Sequence, residues 1–384
     1  MKKVFALIMA LMLVASVLAA CGGSGSTSTP AAKTVKIGMS GPLTGSASAY
    51  GLSVKAGMEI AVEEINAKGG VQIEFRAEDD EADPEKAVSA YNALKDWGMQ
   101  VFGGNVTSGA ANAVAPETVS DGIFNLTPSA SAESVALAGS NVFQMCFTDP
   151  NQGASAAELI SAKNLATAIG VIYDSSDDYS SGLYAGFMAK SKELGLNVVC
   201  ETSFTVDNKS DLSTQVTQCK DAGADLVFLP IYYTEASQIL TYANKIGYDA
   251  KFFGCDGMDG ILGVEGFDTA LAEGLLLMTP FDANASDEAT KSFVEKYKAK
   301  TGEVPSQFAA DGYDVIYSIY NAYTAAGLKG GESTADITTA LVAQFTSMKV
   351  DGLTGSGMTW DTNGMISKSP AAVVVENGIY VPMA

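Results

Sequence analysis

Apolar positions in this chain alternate between two spacings. From Thr34 onward, short β-branched and aromatic runs are separated by longer stretches with apolar residues at helical intervals, which predicts an α/β fold. Strands are expected first at 35–39, 71–77, 100–103, 122–126 and 142–147, with helices at 52–67, 84–97, 108–120 and 132–138. The helix at 52–67 gathers Val54, Met58, Ala61, Val62 and Ile65 on one face. The next opens with Asp83-Pro84, a capping side chain followed by a proline where the first helical N–H needs no partner. It closes at Trp97-Gly98, with glycine free to take the left-handed turn that ends many helices. A second series follows, with strands at 169–173, 197–203, 226–230, 251–254 and 274–279 and helices at 153–166, 181–194, 211–222, 235–246 and 258–263. Two such runs predict two doubly wound parallel-sheet lobes. Helices at 287–300, 307–326 and 335–345, then strands at 357–360 and 371–375, suggest a return to the first lobe. The expected division is 34–148 with 280–357 for lobe 1, and 149–279 with 358–384 for lobe 2. Crossings fall near 148–151, 279–281 and 353–357.

The first 33 residues depart from this pattern. Lys2 and Lys3 precede an uncharged apolar run from Val4 to Leu18, closed by Ala19-Ala20-Cys21. Such a segment reads as a secretory signal, residues 1–20, too short for a stable membrane span. Residues 21–33 hold little besides Gly, Ser, Thr, Pro and Ala, the composition of a flexible tether. Leu18-Ala19-Ala20-Cys21 resembles the lipobox of bacterial lipoproteins, which implies lipidation at Cys21 and an anchor on the outer face of a membrane.

Composition narrows the chemistry. The formal net charge is −21, a field that repels nucleic acid and anionic lipid. Histidine is absent, so His-based triads, His-type zinc sites and the commonest general base are excluded. No Ser-x-x-Lys or Gly-x-Ser-x-Gly occurs, and among 44 acidic residues no spacing singles out a catalytic pair. We therefore expect no enzyme, no metal and no cofactor. Arg76 is the sole arginine and shares strand phase with Gln72 and Glu74, which faces it to solvent. Cys146, Cys200, Cys219 and Cys255 are widely spaced; an exported chain permits disulfides, but free packing cysteines fit equally well.

In open α/β sheets ligands collect at the carboxyl ends of strands. The segments there (40–50, 105–109, 127–131, 174–179, 231–234 and 255–259) are rich in Ser, Thr, Tyr, Gly and Asp. Several of them together resemble the leucine/isoleucine/valine-binding proteins. The opening Val35-Lys36-Ile37-Gly38-Met39-Ser40-Gly41-Pro42-Leu43-Thr44-Gly45 is similar, as are Glu64-Ile65-Asn66-Ala67-Lys68-Gly69-Gly70 and Glu78-Asp79-Asp80-Glu81-Ala82-Asp83-Pro84. Gly103-Gly104-Asn105-Val106-Thr107-Ser108, Leu126-Thr127-Pro128-Ser129-Ala130-Ser131, Gly254-Cys255-Asp256-Gly257, Phe308 to Tyr313-Asp314 and Leu353-Thr354-Gly355 continue the likeness in order. The resemblance implies a type I periplasmic-binding fold with a three-crossover hinge. It also implies a monomer that hands a branched-chain or related amino acid to the permease of an ABC importer.

The resemblance further implies roles at matching positions. Thr107 and the Ser129/Ser131 turn match the carboxylate-binding positions, with Ser108 alongside, although either hydroxyl of Thr107-Ser108 could simply cap a helix. Asp256 stands where the family places an acid for the ammonium, and Tyr179 and Tyr232 match aromatic positions facing the cleft. Tyr50 and Phe308 are candidates for the side-chain pocket. Asp311, one turn beyond Phe308, would make that pocket polar if it points inward and is a solvated helix residue if it points outward. A sensor of the same fold, or an importer component for another amino acid, a small amide or an aromatic acid, remain the alternatives.

Overall fold

The computed structural model describes residues 34–369 and 371–383. The signal segment, Cys21 and the tether expected from the sequence lie outside the described residues.

The first sheet holds β1 (Thr34–Gly41), β2 (Gln72–Asp79), β3 (Val101–Phe102), β4 (Phe124–Thr127) and β5 (Val142–Gln144). Its order is β2-β1-β3-β4-β5, with every neighbouring pair parallel. Between the strands run α1 (Ser48–Ala67), α2 (Pro84–Trp97), α3 (Ser108–Asp121) and the short α4 (Glu133–Ala136). The α2 boundaries show the expected devices. The Asp83 carboxylate accepts from the Glu85 and Lys86 amides, and Gly98 takes φ 91° at the other end.

The second sheet is seven-stranded, in the order β14-β13-β10-β9-β8-β6-β7. The chain enters through α5 (Asp149–Lys163) and continues as β6 (Ile169–Asp174), α6 (Asp178–Leu194), β7 (Val198–Phe204), α7 (Ser213–Asp221), β8 (Leu226–Leu229), α8 (Tyr233–Lys245), β9 (Lys251–Gly254) and β10 (Leu276–Thr279). Next come α9 (Glu288–Thr301), α10 (Gln307–Ala325), α11 (Thr334–Phe345), β11 (Val350–Gly352), β12 (Gly355–Met358), β13 (Ala371–Glu376) and β14 (Ile379–Pro382). The strands from β6 to β10 pair parallel, while β13 and β14 add antiparallel.

The three helices after β10 return to the first sheet and its helix α1, with α9 packing Phe293 and Val294 near Ala56 and Ile60 of α1. Phe345 of α11 lies 4.9 Å from Phe124 and 5.3 Å from Phe143, ring centre to ring centre. Helix α10 meets α1 backbone to backbone. A Cβ at Gly57 would stand 1.9 Å from the Ala309 carbonyl oxygen, and one at Gly312 would stand 2.5 Å from that of Val54. Only glycine fits such a crossing.

The structure departs from expectation in places. The helix expected at 258–263 is instead two 3₁₀ turns, Asp256–Met258 and Ile261–Gly263, because Gly260 at φ 122° breaks any helical path between them. Met258 and Ile261 carry helical spacing but are both fully buried by separate turns. The first helix begins at Ser48 rather than 52, and the strand expected at 142–147 ends at Gln144. There Trp360 Nε1 donates to the Gln144 carbonyl, and Gln144 N to Gly364 O. The exposed edge strand β14 shows no alternating signal, and β11 is too short to give one.

Candidate ligand-binding site

Both sheets turn their strand carboxyl ends toward one small cavity. From the first sheet come Val106 and Thr107 after β3, Ser108 at the start of α3, and Ser129 after β4. From the second come Tyr179 after β6, Tyr232 after β8, and Asp256 and Gly257 after β9, while Tyr50 of α1 and Phe308 of α10 close the remaining side. In each sheet the strand order reverses here, between β1 and β3 and between β6 and β8, which opens a crevice for a ligand.

One end of the cavity gathers hydroxyls at the start of α3. Thr107 is the residue before α3, with φ −102° and ψ 148°, yet its side chain makes no cap bond. Its Oγ1 is buried without a hydrogen-bond partner among the described residues. The first-turn N–H groups of a helix have no intrahelical acceptor and carry partial positive charge. The other two hydroxyls are committed to structure. Ser129 Oγ donates to the Val106 carbonyl at 2.7 Å, and Ser108 Oγ accepts from the Ala132 amide at 3.2 Å. Ser131 is not in the cavity wall; it is buried beside Asp149 at the entry to the second sheet.

The other end is acidic. Asp256 is 4 % exposed, and its Oδ1 accepts from the Tyr179 hydroxyl at 2.7 Å and the Gly257 amide at 2.9 Å. Burial pushes its carboxyl up to about 6, against these hydrogen bonds, which pull it down. Its own amide donates to Gln152 Oε1, and its carbonyl accepts from Gln307 Nε2. A neighbouring carboxyl, that of Asp149, is fully buried beside Ser131, and burial raises it well above the usual carboxylate range despite that hydroxyl. A cationic group entering the cavity would meet acid and, among the described residues that line it, no lysine or arginine.

Aromatic rings complete the walls. Tyr232 stacks on Tyr179 with centres 4.9 Å apart and planes 13° apart. Tyr50 packs 4.5 Å from Phe308 and 5.7 Å from Tyr232. Tyr50 is 1 % exposed, and its hydroxyl donates to the Gly257 carbonyl and accepts from the Tyr233 amide, spanning from one sheet's helix to the other's strand end. Asp311 takes neither orientation weighed from sequence. It is buried against Lys368, whose Nζ lies 2.9 Å from Asp311 Oδ1 and 2.6 Å from Thr354 Oγ1. Arg76 is exposed and pairs with Glu78, in keeping with its strand phase.

The cavity thus joins nine residues, Tyr50, Val106, Thr107, Ser108, Ser129, Tyr179, Tyr232, Asp256 and Phe308, with Gly257 beside them. Val106 and Gly257 adjoin chosen residues and follow from the strand-end rule. Asp149, Gln152 and Lys368 lie where the chain passes between sheets, and nothing local in the sequence marks them. Among the described residues no group of three or more Cys, Asp or Glu side chains could hold a metal ion, and no helix is long and apolar enough to cross a membrane.

Two α/β lobes sharing a small aromatic-walled cavity with polar ends, at their strand ends, define a solute-binding protein with the type I periplasmic-binding fold. The chain belongs to the periplasmic binding protein family, whose profile matches residues 34–378. Membership implies work outside the cytoplasm. The leucine-, isoleucine-, valine-, threonine- and alanine-binding protein of Pseudomonas aeruginosa is 28 % identical over 310 residues, covering 80 % of this chain and 82 % of that protein. A Leu/Ile/Val-binding protein homologue of Brucella melitensis is 30 % identical, covering 87 % and 89 %. The branched-chain amino acid transporter substrate-binding protein of Streptococcus pneumoniae, solved with isoleucine, superposes with a TM-score of 0.82 at 28 % identity. That match covers 91 % of this chain and 98 % of the pneumococcal one.

Proposed function

We propose that this protein captures an aliphatic L-amino acid, most simply leucine, isoleucine or valine, between its lobes and delivers it to the permease of an ABC importer. Residues 34–148 with 280–357 form one lobe, with 359–368 packed on it, and 149–279 with β13 and β14 form the other, while lipidated Cys21 tethers the chain to the membrane surface. The supporting observation is the polarity of the cavity. An unpartnered hydroxyl at a helix N-terminus stands at one end and a buried acid at the other, which suits a carboxylate and an ammonium on one small molecule. Thr107, the α3 amides and the Ser129 turn hold the carboxylate, Asp256 and the Tyr179 and Tyr232 rings hold the ammonium, and Tyr50, Val106 and Phe308 enclose the side chain.

Affinity is attainable on these terms. Leucine has about nine heavy atoms, for which the ceiling is roughly 1.5 kcal/mol per atom, while micromolar binding needs only about 8 kcal/mol. The protein binds without turnover, and the related proteins are solute binders.

A thermal-shift screen tests the reading, because a ligand selective for the folded state raises the melting temperature. One or a few branched-chain amino acids should shift it. A screen in which only amides or aromatic carboxylates shift melting refutes the amino-acid assignment.

A further inference from the structure

Away from the cavity, two cysteines meet on the outer edge of the second sheet. Cys200 lies in β7, the edge strand, and Cys219 in α7, which covers it. Their sulfurs are 3.2 Å apart, closer than two unbonded sulfurs normally rest. The surroundings hold them there. Cys200 pairs across the ladder with Gly170 of β6, and a Cβ at Gly170 would stand 2.8 Å from Cys219 Sγ. The missing side chain leaves the hollow into which the Cys219 sulfur fits. On one side of the pair, Thr202 Oγ1 donates to Gln218 Oε1 at 2.6 Å and Gln215 Nε2 donates to the Ser203 carbonyl at 3.1 Å, so strand and helix are already tied there.

We propose that Cys200 and Cys219 are a redox-active pair that closes to an intramolecular disulfide when the protein meets an oxidising, disulfide-bearing environment, stapling the edge strand to α7. Cys200 is half-buried and lines an open surface groove, whereas Cys219 is fully buried. The Cys200 thiolate therefore attacks a small external disulfide, forming a mixed disulfide and releasing one thiol. Cys219 loses its proton and displaces the second thiol, so two protein thiols are oxidised and one external disulfide is reduced to two thiols. Burial and the neighbouring Cys200 sulfur raise the Cys219 thiol, which suits the resolving rather than the attacking role. Cys146 and Cys255, fully or almost fully buried elsewhere, take no part.

The purified chain, equilibrated in mixed reduced and oxidised glutathione, quenched with iodoacetamide and digested with trypsin, tests this. The peptides 193–209 and 210–220 should appear joined, two hydrogens lighter than their sum, and should separate on reduction. In Cys219→Ser the mixed disulfide should persist, leaving glutathione on Cys200. Recovery of both peptides singly alkylated, a cross-link using Cys146 or Cys255, or an unmodified Cys200 in the serine variant each overturns the proposal.

Discussion

Replacing Asp256 by Asn removes a negative charge while keeping the side chain's shape and an acceptor for Tyr179 and Gly257. Two effects of opposite sign follow. In the empty protein, holding this carboxyl ionised is costly, since burial lifts it from the usual carboxylate range to about 6. At 1.36 kcal/mol per pH unit the displacement corresponds to about 3 kcal/mol, an upper limit because Asn is a weaker acceptor than carboxylate. The ligand-free variant should therefore melt no lower than the parent above pH 7. With a ligand ammonium in place the balance reverses. Removing one partner of a buried charge pair costs roughly 3–5 kcal/mol, a Kd increase of about two to three and a half decades. The parent should also lose affinity about tenfold per pH unit below about 6, where Asp256 takes up its proton, while the variant shows no such limb. Calorimetric titration with leucine and isoleucine from pH 5 to 8, beside melting curves without ligand, measures both effects. Equal affinities and parallel pH profiles would refute the ammonium role.

Four further outcomes are expected. Thr107→Val should weaken ligand binding about 10- to 150-fold, the loss of one hydrogen bond to a charged group, with ligand-free melting not lowered because Oγ1 has no partner among the described residues. Between pH 5 and 7 the ligand-free chain should lose stability to urea as pH rises. Burial lifts both Asp256 and Asp259 to about 6, so the folded state holds their protons in a range where the unfolded chain has released them. Lys368→Met should lower stability by about 3–5 kcal/mol by leaving Asp311 buried and unpaired, and adding Asp311→Leu should restore most of it, read by chemical denaturation. Gly57→Ala should cost about 1–3 kcal/mol by the same assay, because its methyl would collide with the Ala309 carbonyl.

Much of the fold is legible because each βα unit has its own periodicity and punctuation. The Asp83-Pro84 start and Gly98 stop of α2 are local chemistry, and local chemistry is what a sequence displays. The turns at Asp256–Gly263 carry helical spacing without a helix, because Met258 and Ile261 owe their burial to tertiary packing rather than to a helical face. At the site, the strand-end rule and the family resemblance together led to residues that do gather around one cavity. Ser131 fell just outside it, since a turn's direction depends on what it packs against, here the start of α5. The Asp311–Lys368 pair joins positions 57 residues apart on different elements, and neither residue announces its partner.

The contact between α1 and α10 has a consequence for how such a protein can change its diet. Tyr50 sits on α1 and Phe308 on α10, and Gly57 and Gly312 weld the two helices into one block. The two rings we propose to enclose a ligand's side chain therefore travel together as a replaceable cassette. The groups suited to its charged ends belong to separate strand ends of both sheets. New selectivity could arise by rewriting the cassette's two rings alone, leaving the grip on the ligand's backbone untouched.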